Sequence, residues 1–409
     1  MPQLARRIGR AKPSAIMVIA DKAKRLKAEG RDIINFSIGV PNFLPGEHVY
    51  AAAREAIAKD SGQYGSNRGS DALLDALLGH IEGLGLTGFT RANCAVGIGA
   101  KQVIYNLAEA LLDEGDTIAF PVPYWTSYLD IAEIVNAKVD LLPCPASQHY
   151  KLTPDQLDAA LAKKPKVFLF NNPSNPTGMV YTSAEIEALA EVIARHPDTW
   201  IITDDIYNRM LFDGLEYANF IQFRPELRER TIFIDSLSKT YGMPGWRVGF
   251  MCGNPTLIGA LARMKSYLDY GMFTPIQVAA IAALEGPQEC VAEICELYRK
   301  RRDVLCDGLN ALGWPVAKPK ATMFVWAPIP EPYRHLGSLE FCKKLLAEAK
   351  VAVSPGIGFG EYGDDHVRFG LIENEQRTRQ ALRGIREMLR RDGRDHDAPL
   401  AASATGAEA

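Results

Sequence analysis

The sequence predicts an α/β fold: a mostly parallel sheet sandwiched by helices, with a smaller α/β C-terminal domain. Three observations carry this. Short β-branched apolar runs alternate with amphipathic helical segments between about residues 93 and 268. Polar and glycine-rich motifs fall just after those runs, where open α/β sheets place their ligands. One long charged helical segment, 289–312, then leads to a shorter second set of strands and helices. At 409 residues the chain is long enough for two cores.

The elements follow in order. Residues 14–30 place Ile16, Ile19, Ala20, Ala23 and Leu26 on one helical face, and Gly30 ends that helix. A strand at 33–37 leads to Gly39, where a missing side chain lets a ligand approach the backbone, although a plain turn would read alike. Helical patterns at about 47–59 and 71–82 flank a polar, glycine-rich loop, 63–70, that carries Tyr64. Residues 93–102 read as strand, glycine turn and helix, the helix running to about 113. Amides at such a helix start bind phosphate. Gln102 stands where the third glycine of a dinucleotide fingerprint belongs, which argues against NAD.

Strands at about 116–120, 138–142, 166–170, 199–204, 231–235 and 247–252 alternate with helices at about 126–135, 154–162, 183–194 and 255–268. Beyond the connector come a strand at 322–327, a helix at 338–349, short strands near 351–354 and 366–370, and a helix at 373–391. The boundaries drawn from this are an N-terminal arm joining the small domain (1–45), a large domain (46–286), a small domain (287–391) and a disordered tail (392–409).

Composition narrows the function. A net charge of -3 points to neither nucleic acid nor a membrane surface. Seven scattered cysteines without a C-x-x-C pair, and no H-E-x-x-H, argue against a disulfide framework and against a metal site. The first ten residues lack the apolar core of a signal peptide, and no apolar run reaches spanning length, so the expected location is cytoplasmic.

The chemistry gathers around Ser236-Leu-Ser-Lys-Thr-Tyr-Gly-Met-Pro-Gly-Trp-Arg-Val-Gly249. Lys239 follows a buried strand, and lysine amines form Schiff bases with carbonyl cofactors, pyridoxal 5′-phosphate (PLP) the commonest. Arg247 suits a phosphate. Asp204-Asp205-Ile-Tyr207 ends another strand, and either carboxylate could pair with a pyridine nitrogen while Tyr207 serves the ring oxygen. Asn171-Asn-Pro-Ser-Asn-Pro-Thr-Gly178 is a rigid turn that offers the Asn175 amide and admits a cis bond at Pro176. Trp125, in Pro121-Val-Pro-Tyr-Trp125, could stack on a ring or belong to the core.

With these motifs in view, the chain resembles the class I/II aminotransferases, PLP enzymes of fold type I, over about residues 12–390. Gly39, Tyr64, Gly99-Ala-Lys101, Trp125, Asn175, Asp204 with Tyr207, Ser236-x-Ser-Lys239 with Arg247, and Arg368 arrive in that family's order. The resemblance implies catalytic roles for Lys239, Asp204 and Tyr207. Lys239 would carry the cofactor and shuttle the proton, Asp204 would pair with the ring nitrogen, and Tyr207 and Asn175 would bond the ring oxygen. Trp125 would stack on the ring. Gly99, Ala100, Lys101, Ser236 and Arg247 would hold the phosphate, with Tyr64 reaching the site of a second subunit in a homodimer. Arg368, Asn175 and Gly39 would face the substrate α-carboxylate, and Lys101 a distal one.

The motifs divide over the substrate. Lys12-Pro-Ser14, Gly99-Ala-Lys-Gln102 and Pro123-Tyr-Trp-Thr-Ser-Tyr128 resemble the bacterial aspartate aminotransferases, although Ala15-Ile16 stands where that subgroup usually has Ala-Thr. Lys265-Ser-Tyr-Leu-Asp-Tyr-Gly-Met-Phe-Thr-Pro275, Gly337-Ser-Leu-Glu-Phe341 and Ser354-Pro-Gly-Ile-Gly-Phe-Gly360 resemble the alanine–glutamate enzymes. Alanine with 2-oxoglutarate is therefore the first expectation; an aspartate, or prephenate or aromatic, aminotransferase working with glutamate and 2-oxoglutarate is the alternative. Other PLP chemistry, such as C–S lysis, could use the same fold. A regulator's sensor domain would need a basic recognition helix, which the roughly 45 residues before the large domain lack.

Overall fold

The computed structural model describes residues 5–10, 14–59 and 62–393. Among them the strands are β1 (Ile34–Asn35), β2 (Cys94–Ile98), β3 (Thr117–Val122), β4 (Lys138–Pro143), β5 (Val167–Asn171), β6 (Trp200–Asp204), β7 (Thr231–Ser236), β8 (Val248–Cys252), β9 (Phe324–Pro328), β10 (Val351–Ala352), β11 (Ser354–Pro355) and β12 (His366–Gly370). Seven of them form the large sheet, in the order β2-β8-β7-β6-β5-β3-β4. β8 pairs antiparallel with both neighbours, while β7, β6, β5, β3 and β4 run parallel.

Continuous apolar runs make these strands because both sheet faces are covered. Val167 and Leu169 of β5 join one core with Ile202, Ile232 and Ile234. Phe168 and Phe170, pointing the other way, join a second with Ile201 and the helices Pro154–Leu161 and Ser183–Ala194. A third core lies around β2 and β8, with Val96 and Phe250 packed against Leu73 and Leu77 of the helix Asp71–Gly83.

The remaining strands make a three-stranded antiparallel sheet, β11-β12-β9, and a parallel pair, β1-β10. One further core joins them to Ile19 and Ala23 of the helix Ala15–Ala28, to the long helix Glu289–Ala311, and to the helix Glu375–Arg391. The helix Ala15–Ala28 therefore shares a core with elements from the C-terminal third of the described residues.

Three local expectations need correction. The strand expected at 33–37 pairs over two residues only, because past Asn35 the backbone turns toward the cavity described below. The helix expected over 338–349 is α-helical for Gly337–Lys344 and then widens to a π-turn at Leu345–Ala349. A helix at Thr274–Glu285, with Pro275 in its first turn, has no counterpart in the sequence reading. The expected tail falls almost wholly outside the described residues, beyond 393. Among the described residues no helix is long and apolar enough to cross a membrane.

Candidate active site

β5, β6 and β7 end side by side, with Asn171 opposite Asp204 and Asp204 opposite Ile234. Beyond these ends lies a cavity of about 390 Å³. Asp204, Tyr207, Lys239, Asn171, Asn175, Trp125, Tyr128, Gly39 and Arg368 line it, together with Lys101 and Asp130. It occupies the carboxyl end of a parallel sheet, as the fold class requires.

Asp204 is 2% exposed. One of its oxygens accepts the Tyr128 hydroxyl, and the other, Oδ1, has no partner among the described residues. Burial pushes its carboxyl up to about 6, against the hydrogen bond from Tyr128. Asp205 leaves the β6 end in the other direction. Its carboxylate accepts Tyr217 Oη at 2.9 Å and Asn219 Nδ2 at 2.8 Å, and it does not line the cavity. Of the two candidate carboxylates, only Asp204 faces the site.

Lys239 sits in the helical turn Leu237–Thr240, where the Ser236 side chain caps the Ser238 amide. Its Nζ donates to the Gly39 carbonyl at 2.6 Å. Burial, with the charges of Arg368 and Arg247, lowers the amine to about 8. Beneath this turn Asp235 accepts the Ser236 amide, Asn208 Nδ2 and His80 Nε2, so the lysine rests on a buried polar network.

Arg368 lies on β12 opposite Ser354 and Trp326. Its guanidinium donates to Asn175 Oδ1 at 2.8 Å and to Ser354 Oγ at 3.3 Å. It is held between the rings of Phe324 and Phe359, 4.1 and 4.5 Å from their centroids. Burial lowers it to about 10, and Nε has no partner. Gly39 passes so close that a Cβ there would fall 2.8 Å from the Phe324 ring. The peptide between Asn175 and Pro176 is cis, and the Asn175 amide donates to Asn171 Oδ1.

Of the expected phosphate donors, Lys101 lines the cavity; Gly99, Ala100, Ser236 and Arg247 flank it without lining it. Gly99 has φ +80° and opens the helix Ala100–Leu111. A Cβ on Gly99 would lie 2.3 Å from the Arg247 guanidinium, and one on Gly249 would lie 2.3 Å from the Ala100 amide. The turn is thus glycine-built on both sides, with Arg247 over it. The Ser236 hydroxyl donates to the Val248 carbonyl at 2.7 Å, across to strand β8. Tyr64 is 85% exposed beside Tyr270, away from this cavity.

The class I and II aminotransferase family model matches residues 31–385. The chain belongs to this family. It is 43% identical over 394 residues to the glutamate-pyruvate aminotransferase AlaC of Escherichia coli K12, covering 95% of this chain and 94% of that one. It is 34% identical to an aspartate aminotransferase of Rhizobium meliloti strain 1021, over 94% of this chain and 95% of that protein. Among solved structures, the Rhizobium meliloti aspartate aminotransferase superposes with a TM-score of 0.90 at 33% identity, covering 96% of this chain and all of that one. The Thermus thermophilus aspartate aminotransferase with maleate gives 0.89 at 32%, over 95% of this chain and 100% of that one.

The aminotransferase is therefore a PLP-dependent transaminase that works on an amino acid and a 2-oxo acid. Its site also uses residues the sequence reading did not single out. Tyr128 follows Trp125 by one helical turn, a spacing that could have marked it. Phe324, Phe359 and Asp130 carry no local signal and reach the cavity only through the fold.

Proposed function

We propose that this cavity holds PLP, with Asp204 at the ring nitrogen. The observation that carries the reading is the partnerless, buried Asp204 Oδ1. A buried carboxylate oxygen is costly unless a donor or cation meets it, and a protonated ring nitrogen is both. The glycine-built turn at Gly99, with no room for a side chain beside Arg247, suits a phosphate at the other end. When bound, PLP supplies an electron sink for charge developing at the substrate Cα.

The chain's own residues do the rest. Tyr128 holds the Asp204 carboxylate in place. Lys239, its amine lowered to about 8, carries the cofactor and moves a proton at the substrate Cα. Tyr207 and Asn175 bond the ring oxygen, and Trp125 covers a ring face. The amides of Gly99, Ala100 and Lys101, with Ser236 and Arg247, take the phosphate. Arg368 fixes the α-carboxylate, beside Asn175 and Gly39. Tyr64 serves the phosphate site of a second copy in a homodimer, supported by its exposure beside the exposed Tyr270, with Tyr267 and Phe273 also exposed. The chain divides on this reading into a large unit, 46–286, and a small one, 287–391, to which residues 1–45 contribute, a division supported by the separate seven-stranded and three-stranded sheets.

For substrates, the reading is alanine and 2-oxoglutarate giving pyruvate and glutamate. It is supported by the higher identity to a glutamate-pyruvate aminotransferase, 43% against 34%, and by an unpaired lysine, Lys101, in the cavity wall. Aspartate with oxaloacetate is the second reading, favoured by the solved neighbours. The test is single addition of alanine, aspartate or glutamate to the PLP-loaded enzyme, with quantification of the oxo acid formed in one turnover. Fastest release of pyruvate and 2-oxoglutarate supports the proposal. Oxaloacetate ahead of pyruvate supports the second reading, and conversion of aromatic amino acids alone overturns both. Release of ammonia or carbon dioxide would indicate a different PLP reaction.

A further inference from the structure

Among the described residues, five charged side chains line the cavity: Asp204, Lys239, Arg368, Lys101 and Asp130. The first three are engaged, with Tyr128, the Gly39 carbonyl, and Asn175 with Ser354. Lys101 and Asp130 make neither an ion pair nor a side-chain hydrogen bond among the described residues. They come from different helices, Lys101 from the first turn of Ala100–Leu111 and Asp130 from the first turn of Ser127–Ile134. The Lys101 ammonium lies over the Trp125 ring, 5.1 Å from its centroid. The two charges nevertheless feel each other: each favours the ionised form of the other, against the burial that disfavours both. Nearby, Ser14, Ile16 and Met17 bring no further charge to the wall.

A transaminase must accept two different side chains in one pocket. A fixed lysine would favour a dicarboxylic substrate and leave an unmatched cation beside a neutral one. A mobile lysine with a second place to go avoids this, and a four-carbon stem allows it. We propose that Asp130 is a specificity-determining residue, the internal counter-ion that takes Lys101 when the bound side chain is neutral and yields it to a distal carboxylate. The proposal rests on the reading above that one substrate is dicarboxylic and the other neutral.

The test is Asp130→Asn in the PLP-loaded enzyme. Removing the competitor should favour the dicarboxylic substrate, raising the ratio of kcat/KM for glutamate to that for alanine by roughly tenfold. Calorimetric titration with glutarate and with butyrate, which do not react, should show the same contrast: tighter glutarate, weaker butyrate. In a Lys101→Met background, Asp130→Asn should leave the ratio unchanged. Equal shifts for both amino acids, or an unchanged glutarate-to-butyrate contrast with Lys101 present, would overturn the proposal. If the wild type turns over no dicarboxylic amino acid, the substrate reading fails, and the titration alone decides whether Lys101 and Asp130 compete.

Discussion

The inner end of the cavity and its mouth are built on different terms. At the inner end, Asp204 and Arg368 are buried and each is hydrogen-bonded, Arg368 to Asn175 and between two aromatic rings. At the mouth, Lys101 and Met17 are exposed, Asp130 is half-buried, and neither charge has a hydrogen-bond or ion-pair partner among the described residues. On the proposed function, the groups every amino acid shares, its Cα and α-carboxylate, would meet side chains held by their own neighbours, and the part that varies would meet side chains without such bonds. Preorganisation is concentrated where the chemistry is invariant.

The largest expected effect tests the inner end at its centre. Lys239→Ala should lower single-turnover transamination by at least about a thousandfold. Near-normal turnover would break the comparison outright. Next come the adjacent carboxylates. Asp204→Asn should reduce kcat by about a hundredfold with the fold intact. Asp205→Asn should instead cost stability, on the order of 1–3 kcal/mol in urea unfolding, because it disturbs the buried bonds from Tyr217 and Asn219. The reverse order would mean the inner end is organised around the other residue.

Arg368→Lys should raise KM for all amino acid substrates together, by roughly tenfold, since a lysine can neither bond bidentately nor lie flat between Phe324 and Phe359. A rise confined to one substrate would move Arg368 from the shared end to the variable one. The smallest effect is a pH dependence in cofactor-free protein. The folded amine of Lys239 is lowered from 10.5 to about 8, so burying its charge opposes folding below about 8, and this penalty fades as pH rises toward 10.5. Lys239→Met should therefore raise the unfolding temperature by a few degrees at pH 7, with the gain shrinking through that window. A gain independent of pH would show that packing, not charge, sets it.

Much of the fold was legible because parallel strands buried on both faces read as apolar runs, as Val167-Phe-Leu-Phe170 does. The helix Thr274–Glu285 was missed because alanine, isoleucine and leucine lie all round it, leaving no face to read. Lys239, Tyr207 and Arg368 could be picked out because each follows or sits on a strand within a motif. The residues alone left Asp204 and Asp205 as rivals, and only the family resemblance favoured Asp204. Neighbours along an extended chain point opposite ways, and only the sheet shows which side opens on the cavity. The Tyr128 bond joins residues 76 positions apart, and the aromatic sandwich around Arg368 draws on two separate segments, so neither leaves a local trace.

The sandwich around Arg368 has a practical consequence. Its guanidinium is packed before any substrate arrives, so in the role proposed for it Arg368 would recognise a carboxylate as such. Acetate, citrate or succinate in a reaction mixture would occupy the same fork, and the apparent KM for every amino acid would then climb with buffer concentration. Rates measured at low carboxylate, in a buffer without a primary amine that could itself condense with PLP, would be the ones that report on the enzyme rather than on its solution.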